Sequence, residues 1–324
     1  FFLSVGLEIK RETRVGGLSS LTQALLPIIG ACGGMIVPVL IFWLVSPADA
    51  DMQRGLAIPM ATDIAFSLGV LSVFKTRVPV GLKVFLAALA VADDLGGIIV
   101  IALFYSSHIS VAFLILSALF VLLMIAGNMM KIRAKSFYVL AGLVLWYFML
   151  NSGIHATIAG VIVALCVPAS LIKGTGYYLE RIRMNINKFP VIDVDDLHKT
   201  VVLTNSQIHT LKSIESAADK MISPLQDLED NLHGLINFFV IPLFAFANAG
   251  IDLSQMSMTS LVSGVGIAVM LGLVVGKFLG VFSFSWLAVR AGIVTLPDGT
   301  SWKAFASVCV VCGIGFTVSM FIAD

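Results

Sequence analysis

Apolar residues fall in long windows along this chain, and the stretches between them hold almost all the charge. The windows lie at roughly 1–10, 24–45, 56–74, 82–105, 111–130, 136–150, 153–169, 232–250, 261–289 and 304–324. About 20 apolar residues at 1.5 Å rise cross the hydrocarbon of a bilayer. The pattern therefore predicts an all-α polytopic membrane protein with about ten segments. The windows at 136–150 and 153–169 are short for a straight crossing, and the first and last are incomplete.

Composition agrees with that class. Of 324 residues, 59% are hydrophobic and 12% charged, against about 25% charged in soluble domains. Mean hydropathy is +1.02. A net charge of +1 leaves no electrostatic footprint for nucleic acid. Cys309 and Cys312 form a CxxC, but within an apolar segment they read as small packing residues rather than a redox motif. No initiator Met is present, and both ends lie in apolar runs, so the chain is expected to be a fragment. The lack of a signal peptide then carries no information.

The charges test the segment count. Lys and Arg concentrate in alternate loops: Lys10, Arg11 and Arg14; Lys75, Arg77 and Lys83; Lys131, Arg133 and Lys135; the long loop after residue 170; then Arg290 and Lys303. Arg54 alone occupies the opposite set, and Lys277 lies inside a window. Positive charge marks the cytoplasmic side, and a missed or invented helix would scramble the alternation. One region departs from the apolar pattern, polar from Lys173 to Asp230. There Ile208, Leu211, Ile214, Ala218, Met221 and Leu225 recur at helical spacing, predicting one amphipathic cytoplasmic helix on the protein or membrane surface.

Within the windows a few polar residues stand out. Asp93 and Asp94 are adjacent in AALAVADDLGGIIVIA (87–102). An ionised carboxylate at membrane depth costs a few kcal/mol or more, and two neighbours oppose each other's ionisation. A proton, a cation or a lysine must offset that cost. The apolar flanks at 84–92 and 95–105 argue against a headgroup position. Thr62 and Asp63 follow Pro59, where the helix is expected to be disturbed. Lys277 lies deep in GLVVGKFLGVFSF (272–284), as an ammonium that needs a carboxylate rather than one snorkelling to the headgroups. Gly313 and Gly315 interrupt the last window, as close-packing residues or as a helix break. Interrupted segments near both ends of the chain suggest an inverted-repeat transporter.

The motifs GLEIKRE (6–12), ATDIAFSLGVL (61–71), ALAVADDLGGIIVIALFY (88–105), GIHATIAGV (153–161), PLFAFANAG (242–250), GKFLG (276–280) and CGIGFTVSMFIA (312–323) together closely resemble the NhaA sodium/proton antiporters of bacteria. The resemblance covers nearly the whole chain apart from residues 171–224, and the inverted-repeat fold of that family is itself a known example. It implies an NhaA-like fold with two discontinuous crossing helices, in one transporter domain over 1–324. The core bundle would come from about 24–105 and 261–324, and panel helices from about 1–14, 111–169 and 225–250. Residues 171–224 would be a cytoplasmic loop insertion.

Family members have twelve helices, so the first, part of the second, the end of the eleventh and the twelfth would be missing. The segment that usually mediates dimerisation would precede Phe1.

By the same resemblance Asp93, Asp94, Thr62 and Asp63 are the expected ion-binding residues, with Asp93 and Asp94 as metal ligands. Lys277, with Asp63, would compensate charge and couple protons. Glu8, Glu12, His155, Glu229 and His233 would form the pH-responsive set. The implied activity is electrogenic export of sodium or lithium against entering protons, serving pH and sodium homeostasis at the bacterial inner membrane. The expected partners are those ions, lipid and a second copy in a homodimer, with no cofactor and no enzyme chemistry. Two rival readings differ in their demands. An intramembrane aspartyl protease needs aspartates on facing helices sharing a proton, whereas Asp93 and Asp94 point about 100° apart on one helix. A passive cation channel would leak without coupling to protons.

Overall fold

The computed structural model describes residues 2–46, 52–74, 78–104, 110–170, 174–189, 203–248, 264–315 and 319. Among these the regular structure is helical, with no strand. The elements are α1 (Phe2–Arg14), α2 (Leu21–Val45), a 3-10 helix (Met52–Met60), α3 (Ile64–Val73), α4 (Val80–Phe104), α5 (Val111–Met129), α6 (Lys135–Ser152) and α7 (Thr157–Cys166). Then come α8 (Thr175–Lys188), α9 (Asn205–Met221), α10 (Pro224–Leu235), α11 (Ile241–Asn248), α12 (Gly264–Arg290) and α13 (Trp302–Val311). Among the described helices three are long and apolar enough to cross a membrane by length and composition: Thr22–Val45, Val111–Met129 and Gly264–Arg290. The other predicted windows form shorter, interrupted or charge-bearing helices.

Two apolar clusters organise the helices. One joins α2, α4, α12 and α13 through Leu26, Leu86, Leu89, Val281, Phe305 and Val308. The other joins α1, α5, α6, α7 and α10 through Leu7, Met124, Tyr138, Leu145, Ala164 and Leu228. A smaller cluster, with Val5, Ile9, Val91 and Val161, connects α1 and α7 to α4. Helix α4 can bridge the two groups because it is apolar on most sides: Ala88, Leu89, Ala90 and Val91 are all buried. A helix apolar all round belongs inside a bundle.

Helices α2 and α12 meet at their backbones. A Cβ placed at Gly280 would fall on the Gly33 carbonyl, and one at Gly276 would lie 2.8 Å from Pro38 Cα. Side-chain-free faces let membrane helices approach this closely. Immediately before Lys277, α12 contains a π-helical turn, Gly272–Gly276. Such a turn inserts an extra residue and rotates the side chains beyond it about the helix axis.

The polar region differs from the prediction. Its described residues form α8 and α9, packed on each other, and the start of α10, rather than one helix. The apolar series assigned to one helix is divided. Ser223 caps a new helix, its side chain accepting from the Gln226 N–H, so Leu225 belongs to α10 and is buried there. On α9 it is Ala217 that is buried, while Ala218, Ile208 and Leu211 are exposed. The predicted face ignored the restart at Ser223–Pro224, a capping box with Pro at the first helical position.

Candidate functional site

The site is built where two helices stop. The 3-10 helix ends at Met60, residues 61–63 have no helical hydrogen bonding, and α3 starts at Ile64. Opposite, α13 ends at Val311 and residues 312–315 leave the helix. The two breaks satisfy each other. Thr62 Oγ1 donates to the Cys312 carbonyl at 3.0 Å, and the Asp63 N–H donates to the Ile314 carbonyl at 2.7 Å. Ser67 Oγ reaches the Val311 carbonyl at 3.2 Å, and Ser319 Oγ the Ile58 carbonyl at 3.1 Å. Buried backbone groups freed by a broken helix must find partners, and these crossed contacts supply them. Asp63 also accepts the Phe66 N–H at 3.0 Å, so its carboxylate sits over the free donors that begin α3.

Against this crossing stands the ion pair. Lys277 is fully buried, and its Nζ donates to Asp93 Oδ2 at 2.6 Å and to the Met60 carbonyl. Asp93 is 3% exposed, and its other oxygen, Oδ1, is buried without a hydrogen-bond partner. An orphaned carboxylate oxygen is costly in an apolar interior. Asp94, next along α4, is only half-buried, and the charges acting on it are Asp93, Glu8, Lys277 and Asp63. Thr62 and Asp63 are buried. The five residues Thr62, Asp63, Asp93, Asp94 and Lys277 thus share one electrostatic neighbourhood, although no three His, Cys, Asp or Glu side chains converge as a metal-holding group among the described residues.

The residues expected to respond to pH divide. Arg11 draws most of them together, with its guanidinium 2.5 Å from Glu229, 3.3 Å from Glu12 and 3.9 Å from Glu8. Glu12 also accepts the Gly17 N–H at 2.9 Å. His233, exposed and in contact with Asn237, lies one helical turn beyond Glu229 and acts electrostatically on Glu8 and Glu229. Burial pushes the Glu229 carboxyl above the ordinary carboxylate range; Arg11 and His233 pull it back, and Asp230 and Glu12 push it further up. His155 stands apart from this cluster. It precedes α7, bonded to Thr157 at 2.9 Å, while the cluster adjoins that helix's other end, where Lys10 caps the Leu165 and Val167 carbonyls at 2.6 and 2.5 Å.

Sequence reasoning did not single out Arg11, Lys10 or the Met60 carbonyl. Arg11 lay in plain view in GLEIKRE, but its partner Glu229 is 218 residues away. Nothing local announces such a pair.

A buried lysine–aspartate pair beside two interrupted helices, in a chain of apolar helices, fits a membrane transporter. The comparisons with known proteins agree. The family described as Na+/H+ antiporter 1 matches residues 1–324, and the chain belongs to that family. It is 55% identical, over its whole length and 72% of the relative's, to the Na(+)/H(+) antiporter NhaA of Phocaeicola vulgatus. It is 53% identical to the protein of the same name in Bacteroides fragilis, covering 73% of it, and 42% identical to that of Haemophilus ducreyi, covering 70%.

Proposed function

We propose that this chain exchanges sodium, or lithium, for protons across the bacterial inner membrane. The observation that carries the reading is the buried Lys277–Asp93 pair, with one Asp93 oxygen left without a hydrogen-bond partner and the less buried Asp94 next in the chain. A hard cation takes oxygen ligands. Asp94 is the entry ligand, because it is the less buried of the two adjacent carboxylates. Asp93 Oδ1, the Thr62 hydroxyl and carbonyls of the crossing complete the set. Asp63 offsets the positive helix start of α3, and Lys277, held on the Met60 carbonyl, offsets negative charge.

The exchange follows from charge balance. A cation arriving at Asp93 and Asp94 weakens the hold of Asp93 on Lys277, and the carboxylates cannot keep protons while they ligate sodium. Protons and sodium therefore compete for one site, and returning protons displace sodium on the other side. More protons than sodium ions cross per cycle, so transport is electrogenic. The two bundles correspond to a core of α2–α4, α12 and α13 and a panel of α1, α5–α7, α10 and α11, arranged as an inverted repeat. Glu8, Glu12, Glu229 and His233 line the cytoplasmic mouth and tune the site with pH. His155 belongs to the panel. Lipid surrounds the chain, and a second copy completes a homodimer.

The test uses everted vesicles carrying the protein, with an acid interior reported by a pH dye. Sodium addition should dequench the dye. Sodium entry that proceeds without proton exit would overturn the reading in favour of a channel.

A further inference from the structure

Helix α8 is the element that the antiporter reading does not use. It packs chiefly on α9, with Tyr178 buried, while Leu179 is 55% and Ile186 57% exposed. These two, with Ile182, fall on one helical edge and line a shallow groove with Gly176, Glu180 and Arg183. Arg181 and Lys188 lie on the same helix, giving it three basic residues against the single Glu180. None of the three basic side chains has an ion-pair partner among the described residues. Asp193, Asp195 and Asp196 come next in the sequence and lie outside the described residues.

The α8–α9 hairpin is tied at both ends to one end of the helical bundle. The connection from α7, residues 167–174, reaches at most about 28 Å when fully extended. At the other end the Arg133 guanidinium, on the turn between α5 and α6, donates to the Asp219, Lys220 and Ile222 carbonyls at the end of α9. The Leu225 N–H then returns to the Pro168 carbonyl at 3.1 Å. This is the end that carries Lys10, Arg11, Lys131 and Lys135, the side that the positive-inside rule assigns to the cytoplasm. The leaflet there is the anionic one.

We propose that α8 lies on that leaflet, with Leu179, Ile182 and Ile186 sunk to the acyl boundary and Arg183 on lipid phosphates. Arg181 and Lys188 add attraction at longer range. An exposed apolar edge beside basic residues is the composition of an interfacial helix, and arginine is well matched to phosphate. The occupant is anionic lipid rather than a second copy of the chain, because the charge of α8 is unbalanced in the direction that lipid phosphate satisfies.

The test places an environment-sensitive NBD dye on Ile186→Cys, in a background where exposed Cys32 is replaced by Ser; the other cysteines are buried. The protein is reconstituted at low density into phosphatidylcholine vesicles with and without phosphatidylglycerol. In the anionic vesicles the dye should be blue-shifted and quenched by nitroxide lipids. Replacing Arg181, Arg183 and Lys188 by Gln should lower the ratio of docked to undocked helix about fivefold per charge removed, and Lys in place of Arg181 and Arg183 should retain it. Sodium transport by the Gln variant, measured in the same vesicles, should persist and show that it is folded. Water-like emission in both vesicle types would overturn the proposal. So would shielding that ignores lipid charge and the Gln substitutions, or shielding that grows with protein density without nitroxide quenching, the sign of a second copy on this face.

Discussion

Lys277 Nζ lies 2.6 Å from Asp93 Oδ2, with both side chains excluded from solvent. Removing one partner of a buried ion pair leaves the other charged and unmatched, typically at a cost of about 3–5 kcal/mol. Asp93→Asn should therefore lower the melting temperature in detergent as well as impair coupling. The double variant with Lys277→Met should recover much of the lost stability, because it no longer strands an ammonium. If Asp93→Asn melts like the wild type, the pair does not hold these helices together.

Asp94→Asn should behave differently. The side chain is half-buried and makes no ion pair with Lys277, so its loss spares the fold while removing the entry ligand. The expected result is a normal melting temperature with sodium binding lost in calorimetry. Exchange at wild-type rates in everted vesicles would show that Asp94 is not the ligand.

Competition between ions gives a direction for pH. Carboxylates must be deprotonated to ligate a hard cation, so apparent sodium affinity should weaken as pH falls. Because Asp93, Asp94 and Lys277 are coupled, the titration belongs to the cluster rather than to one residue. Sodium added to purified protein in weak buffer should release protons, measurable by calorimetry in buffers of different ionisation enthalpy. Affinity independent of pH, with no proton release, would make competition untenable.

The candidate site was more legible in the sequence than the contacts around it. Asp93, Asp94 and Lys277 stand out because a charge in an apolar window needs a reason, and that signal is local. The contacts that organise them are not. The Thr62–Cys312 and Lys277–Met60 hydrogen bonds run to backbone carbonyls more than 200 residues away, and a carbonyl carries no sequence signature. The π-helical turn before Lys277 is equally silent, since GLVVG reads as ordinary apolar helix. In the polar region the periodicity continued through Ser223, where capping chemistry ended one helix and began another.

The close crossing of α2 and α12 makes a packing prediction. Gly280 lies one turn after Lys277, against the Gly33 carbonyl. Gly280→Ala must separate the two helices or distort them, and backbone cannot yield as a side chain can. A loss of about 1–3 kcal/mol is expected, with impaired transport because Lys277 moves with its helix. Gly69→Ala on α3 is the control. Its Cβ would meet nothing within 4 Å, and alanine is the better helix former. It should leave the melting temperature unchanged or raised. Equal losses from both substitutions would mean that the crossing is not the constraint.

The Arg11–Glu229 contact gives the last prediction, at the edge of the membrane. Glu229 is 12% exposed, and burial raises its pKa although Arg11 and His233 oppose the shift. Its ionised form is therefore penalised by folding. The stability it contributes is present below the unfolded-state value of 4.5, and declines as pH rises from there through the folded-state pKa, after which the penalty is constant. In the opposite direction, acidification protonates Glu229 above the ordinary carboxylate range and releases Arg11 to Glu12 and Glu8, its other partners. Glu229→Gln removes this titration. The difference in melting temperature between variant and wild type should change as pH rises above 4.5 and level off once pH has passed the folded-state pKa. The acid limb of the transport profile should lose steepness, while sodium affinity at high pH stays the same, because Asp93 and Asp94 are untouched. A melting difference that is constant across that range of pH would show that Glu229 does not titrate there. A transport profile unchanged by the substitution would remove the Arg11 cluster from pH control.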